Sequence, residues 1–196
     1  MRILTRFLKW LSCSFFYRVK YHNAEVLDKY NTYLICPSHS CVFDPAFVFP
    51  TKYEFDVHVM AKSELFKHAS FRWLANRYNA FAIDRENVDV KSLLQSIDVF
   101  KKNENAKLIM FPEGKIIKNE EEVGTVYKKG AAFIASHMEK AIIPVYISRR
   151  PKFFQKVHVY FGEPFMINEL GTKNLDDISK KLIKSIYALK EEENNR

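Results

Sequence analysis

The chain has 196 residues, enough for one domain with a continuous core. A composition 47% hydrophobic and 28% charged excludes a disordered or collagen-like chain and fits a folded globule. A formal net charge of +8 favours an anionic partner, a condition met equally by nucleic acid, anionic lipid and phosphorylated metabolites.

The opening MRILTRFLKWLSCSFFYRVKY is apolar but interrupted by Arg6 and Lys9. Its longest charge-free run, Trp10 to Tyr17, falls short of the about 20 residues a spanning helix needs. Plotted at about 100° per residue, Ile3, Leu4, Phe7, Leu8, Trp10, Leu11 and Phe15 share an arc of roughly 160°. Arg2, Thr5, Arg6, Lys9 and Ser12 lie opposite. This pattern predicts an amphipathic helix whose stripe ends near Phe16. Two placements fit it: packed on its own domain, or lying in a membrane interface with its cations facing anionic lipid. Residues 1–20 are assigned to this helix and 21–196 to a single folded domain.

Runs rich in β-branched and aromatic residues predict strands at 32–36, 57–60, 80–83, 107–111, 142–147 and 157–161. Between them Val90, Leu93, Leu94, Ile97 and Phe100 recur at helical spacing, as do Leu175, Ile178, Leu182, Ile183, Ile186 and Leu189. Strands alternating with helices predict an α/β fold: a single domain with a mainly parallel or mixed central sheet flanked by helices. No repeat or linker divides the chain, and the tail KEEENNR reads as a frayed helix end. Cys13, Cys36 and Cys41 form no CxxC pair, and the six histidines are scattered, so neither a disulfide framework nor a metal site is expected.

The stretch CPSHSCVFDPAF, residues 36–47, sets His39 and Asp44 with four residues between them. An imidazole steered by a carboxylate is a general base. Yet such a pair arises by chance about a quarter of a time in a chain of this composition. Asp44 before Pro45 also suits a helix N-cap with a first-turn proline, so the spacing alone leaves both readings open. Placement adds weight. His39 follows strand 32–36, Arg85 follows strand 80–83, and Glu113 follows strand 107–111, and open α/β sheets bind ligands at the carboxyl ends of their strands. Pro112 and Gly114 read as a turn, and backbone N–H groups beside a guanidinium suit a phosphate. A base beside a phosphate clamp describes an enzyme that deprotonates a hydroxyl of a phosphorylated acceptor.

Four blocks in order now carry a resemblance: SHSCVFD with His39 and Asp44, FAIDR ending at Arg85, FPEG at 111–114, and IIPV at 142–145. AKSELF from Ala61, YKKGAAFIA and YFGEPF add to it, over roughly residues 31 to 167. The sequence resembles the 1-acylglycerol-3-phosphate acyltransferase family, the glycerophospholipid acyltransferases. It departs from the family pattern at Ser38, where asparagine is usual, and at Lys115–Ile116, where a threonine–arginine pair is usual. Lysine returns one charge but not the bidentate fork of arginine.

The resemblance implies an O-acyltransferase without a cofactor. It would move a fatty acyl group from a thioester donor, acyl-CoA or acyl-carrier protein, to the free hydroxyl of a lysophospholipid acceptor, 1-acylglycerol-3-phosphate, making phosphatidic acid for phospholipid synthesis. His39 and Asp44 would be catalytic, and Arg85, Glu113, Gly114 and Lys115 would hold the substrate phosphate. A lipid acceptor favours the interfacial placement of the N-terminal helix on an anionic membrane surface, peripheral or monotopic, on the cytoplasmic face of the cell membrane. Two rivals remain: an acyltransferase for another lysolipid or glycerol phosphate, and a non-catalytic basic membrane-binding module. Nucleic acid is disfavoured, because no recognised motif or basic stripe with stacking aromatics crosses the core.

Overall fold

The computed structural model describes residues 17–48, 56–68, 72, 75, 79–83, 90–150, 152 and 154–194. Its strands are β1 (Arg18–His22), β2 (Tyr33–Pro37), β3 (Val57–Lys62), β4 (Phe81–Ile83), β5 (Lys107–Ile109), β6 (Ala141–Ile147) and β7 (Lys156–Phe161). They form one seven-stranded sheet in the order β1-β7-β6-β2-β5-β3-β4. The strands from β6 to β4 in that order all run the same way. Strand β7 is antiparallel to β6, and β1 runs parallel to β7. The expected α/β domain with a mixed central sheet is what forms. Its α-helices among the described residues are α1 (Asp44–Phe47), α2 (Val90–Lys102), α3 (Gly130–Met138) and α4 (Leu175–Asn194).

The central strands are apolar on both sides because both faces of the sheet are covered. Tyr33 and Ile35 of β2 join Ile109, Ile143 and Val145 in one core. Leu34 and Cys36 of the same strand turn the other way, toward Leu108 and Ile142. That second core is closed by Leu182, Ile183 and Ile186 of α4 and by Ala131, Ile134 and Ala135 of α3. The apolar stripe expected along 175–189 is therefore the buried face of α4.

Each of the six expected strands forms, shifted by one or two residues at its ends. Strand β1 was not anticipated. In RVKYH, Arg18 and Lys20 are exposed while Val19 and Tyr21 pack against the core, the period-two signature of an edge strand. Tyr17 is itself buried, so the boundary set at residue 20 falls inside a strand, and the folded domain already includes residue 17. The stretch expected to be amphipathic, up to Phe16, lies outside the described residues.

Ile142 has no exposed surface and sits between β2 and α4. Ile142→Ala is expected to lower the unfolding free energy by about 2–5 kcal/mol in chemical denaturation. Leu94→Ala, at a side chain 52% exposed on α2, should change it by less than about 0.5 kcal/mol.

Candidate active site

The loop leaving β2 is fastened at its first residue. Ser38 donates its N–H to the Val145 carbonyl at 2.9 Å, and its Oγ accepts the Ile147 N–H at 3.0 Å, which ties the loop to the end of β6. His39 comes next and is held at four points. Its backbone N–H donates to Glu113 Oε2 at 2.7 Å, and its carbonyl accepts the Ile117 N–H at 2.8 Å. The ring stacks on Phe111 with centroids 4.0 Å apart, and Nδ1 lies 3.0 Å from Asp44 Oδ2.

Asp44 serves the loop and the ring together. The same Oδ2 accepts the backbone N–H groups of Ser40 at 2.6 Å and Cys41 at 2.8 Å. Asp44 is the first helical residue of α1, with Pro45 in the first turn, and Phe43 occupies the N-cap position. The carboxylate is fully buried, and its Oδ1 has no hydrogen-bond partner among the described residues. A carboxylate beside Nδ1 places the ring proton on that nitrogen and leaves Nε2 as the basic one. The His39 side chain keeps 11% of its surface open, a narrow window through which a substrate atom can reach it.

Glu113 lies beneath this loop and is 1% exposed. Its Oε2 takes the His39 N–H, and its Oε1 takes the hydroxyl of Tyr187 on α4. Burial pushes its carboxyl up to about 7, against the pull of these two donors; the Asp44 charge adds to the rise and the Arg149 guanidinium opposes it. Burial and the Glu113 charge likewise raise the Tyr187 phenol. The turn that presents Glu113 needs a glycine next. Gly114 has φ +71°, and a Cβ there would stand 2.8 Å from Cγ of Lys128. The Gly114 N–H donates to the Phe111 carbonyl at 3.1 Å, so the backbone donor expected to face a phosphate is used within the turn. Lys115 is half exposed and pairs with Glu122 at 2.6 Å. Arg85 lies outside the described residues; β4, which ends at Ile83, runs parallel to β3.

The structure thus brings His39, Asp44 and Glu113 together at the carboxyl edge of β2 and β5. It also adds two residues. Arg149 follows β6 as His39 follows β2, and its guanidinium is 3.1 Å from Glu120 with only 10% of the side chain exposed. The strand-end rule that singled out His39, Arg85 and Glu113 would have found it. Tyr187 carries no such signal, since it sits beside the apolar stripe of α4 and is placed by helix packing.

A family model described as Acyltransferase matches residues 18–148, from the first residue of β1 to just beyond β6. The chain belongs to the acyltransferase family. It is an O-acyltransferase, and the family resemblance drawn from its four blocks is borne out. It is similar to the 1-acyl-sn-glycerol-3-phosphate acyltransferase of Bacillus subtilis, 28% identical over 151 residues, with 74% of this chain and 73% of that one covered. Its fold matches the crystal structure of the 1-acyl-sn-glycerophosphate (LPA) acyltransferase PlsC from Thermotoga maritima. The TM-score is 0.74 at 20% identity, covering 100% of this chain and 81% of that one.

Glu113 generates a pH prediction. Its carboxyl titrates near 7 in the folded chain and near the ordinary 4.5 when unfolded. The folded state therefore holds the proton more tightly; the stability this confers is complete below about 4.5 and is lost as pH rises toward about 7. Glu113→Gln has no proton to lose. Its melting temperature should fall less than that of the wild type across this window in a thermal-unfolding pH series. Equal falls would show that Glu113 does not titrate there.

Proposed function

We propose that this acyltransferase moves a fatty acyl group from a thioester donor, acyl-CoA or acyl-carrier protein, to the free hydroxyl of 1-acylglycerol-3-phosphate, giving phosphatidic acid for phospholipid synthesis. The carrying observation is the His39–Asp44 pair at 3.0 Å, at the carboxyl edge of a sheet whose chain is similar to a 1-acyl-sn-glycerol-3-phosphate acyltransferase.

In this scheme Nε2 of His39 takes the proton of the acceptor hydroxyl as that oxygen attacks the thioester carbonyl. The C–O bond forms, the tetrahedral adduct collapses with loss of the C–S bond, and the thiolate leaves with the proton returned by the imidazolium. Asp44 holds the tautomer and stabilises the cation. Glu113 is read as a positioning residue: both its oxygens are occupied, and a carboxylate would repel a phosphate. Gly114 shapes the turn. Arg85 and Lys115 remain the proposed partners of the acceptor phosphate, and Lys115 would have to exchange Glu122 for it. Lys115 and Ile116 also support a second reading, an acceptor other than 1-acylglycerol-3-phosphate, either another lysolipid or glycerol phosphate. The partner proposed for residues 1–16 is an anionic membrane surface, with the enzyme peripheral or monotopic on the cytoplasmic face of the cell membrane. Among the described residues no helix is long and apolar enough to cross a membrane.

His39→Ala should reduce thioester consumption by about 10²–10⁴-fold or more with its circular dichroism unchanged. Wild-type turnover in that variant would remove the base from the scheme. Run against a panel of lysolipids and glycerol phosphate, the same assay ranks the acceptors, and Arg85→Ala should mainly raise the acceptor KM. Deleting residues 1–16, which leaves Tyr17 and β1 in place, should release the protein from anionic liposomes in a flotation assay; continued flotation would place the membrane contact elsewhere.

A further inference from the structure

Beyond the end of β6 lies a cavity of about 400 Å³ lined by Arg149, Lys156 and Lys190, with Glu120 and Tyr146 in its wall. Three separate elements bring these cations together. Arg149 leaves β6, Lys156 opens the antiparallel β7, and Lys190 stands on α4 three positions after Tyr187. The lining is linked to the loop that carries His39 through its neighbours. The Arg150 N–H donates to Ser40 Oγ at 3.1 Å, and Tyr146 packs edge-on against Tyr187, which holds Glu113.

The charge balance is uneven. Glu120 neutralises one cation by pairing with Arg149 at 3.1 Å. Lys156 and Lys190 have no side-chain partner among the described residues. Nε of Arg149 is buried without a hydrogen-bond partner there, on a side chain only 10% exposed. A buried guanidinium donor left unpaired is unfavourable, and a ligand oxygen would satisfy it. The two lysine charges suit a phosphate monoester, which carries about −1.5 to −2 near neutral pH.

We propose that this cavity is a phosphoryl-binding subsite of the transfer reaction, with Arg149, Lys156 and Lys190 as its ligands. The inference rests on the proposed function for its substrate. Two sources share the chemistry: the phosphates of a nucleotide-bearing thioester donor, which leaves the acceptor phosphate to Arg85 and Lys115, or the phosphate of the lipid acceptor, which would take that role from them. In either case the subsite would hold one reactant at the carboxyl edge of β6, the strand paired with β2, after which His39 emerges, and such positioning accelerates transfer.

The test uses the full chain and the double variant Lys156→Gln/Lys190→Gln, with circular dichroism confirming that the variant folds; Lys156 is exposed and Lys190 half-buried. Inorganic phosphate titrated calorimetrically should bind the wild type, and the variant should bind it about tenfold more weakly or worse. In the transfer assay one KM should rise about tenfold with kcat within about twofold. A rise in the acceptor KM assigns the subsite to the lipid phosphate, and a rise in the donor KM assigns it to the donor. Equal phosphate affinity in the two proteins, or unchanged values for both KM, overturns the subsite. Phosphate binding that depends on the two lysines in a protein without acyl transfer keeps the subsite and sinks the proposed function.

Discussion

Glu113 is a carboxylate placed where water scarcely reaches, and the site depends on what it joins. One oxygen fixes the backbone of His39 and the other fixes Tyr187, so a single side chain links the loop after β2, the turn after β5 and helix α4. Burying an unpaired carboxylate would cost several kcal/mol. Here two donors offset that penalty, and a carboxyl raised to about 7 spends part of its time neutral. The position of His39 is thus set by groups far away in sequence, not by its own loop.

Asp44 complements this by gripping the ring. Its Oδ2 gathers two loop N–H groups and the imidazole, while Phe111 covers one face of the ring. Two buried carboxylates therefore divide the work: Glu113 fixes where the residue stands, and Asp44 fixes how its ring is turned. An imidazole held by its backbone, one face and Nδ1 has Nε2 left for chemistry, with little orientational entropy still to be lost during reaction.

Much of this was legible in the sequence because local chemistry encodes it. The strands of the central sheet are buried on both sides and read as continuous apolar runs, and the His39–Asp44 contact spans a short loop that its own backbone closes. What escaped was non-local or low in contrast. Strand β1 is an edge element whose exposed Arg18 and Lys20 looked like the end of a helix stripe. Tyr187 meets Glu113 only because α4 packs over the second core, a contact that helical spacing cannot announce. The turn at Pro112–Gly114 was recognised, but nothing local reveals that its N–H is spent on Phe111. Arg85 lies outside the described residues, so its place rests on the sequence alone.

The mixed direction of the sheet has its own consequence for the proposed reaction. Because β7 and β1 run together against the other five strands, their first residues, Lys156 and Arg18, are paired in register at the edge where β2, β5 and β6 end. The same edge therefore collects cations from the beginnings of two strands and, from the ends of others, the groups proposed to be catalytic. Tyr17 enters there too, with its ring 5.0 Å from Phe47 and 6.1 Å from Phe43. Tyr17 thus meets the loop that carries His39 through Phe43, whose side chain is exposed. On the proposed function this edge faces the lipid: an amphipathic stretch lying in the interface would bring His39 within a few residues of the surface that carries its acceptor.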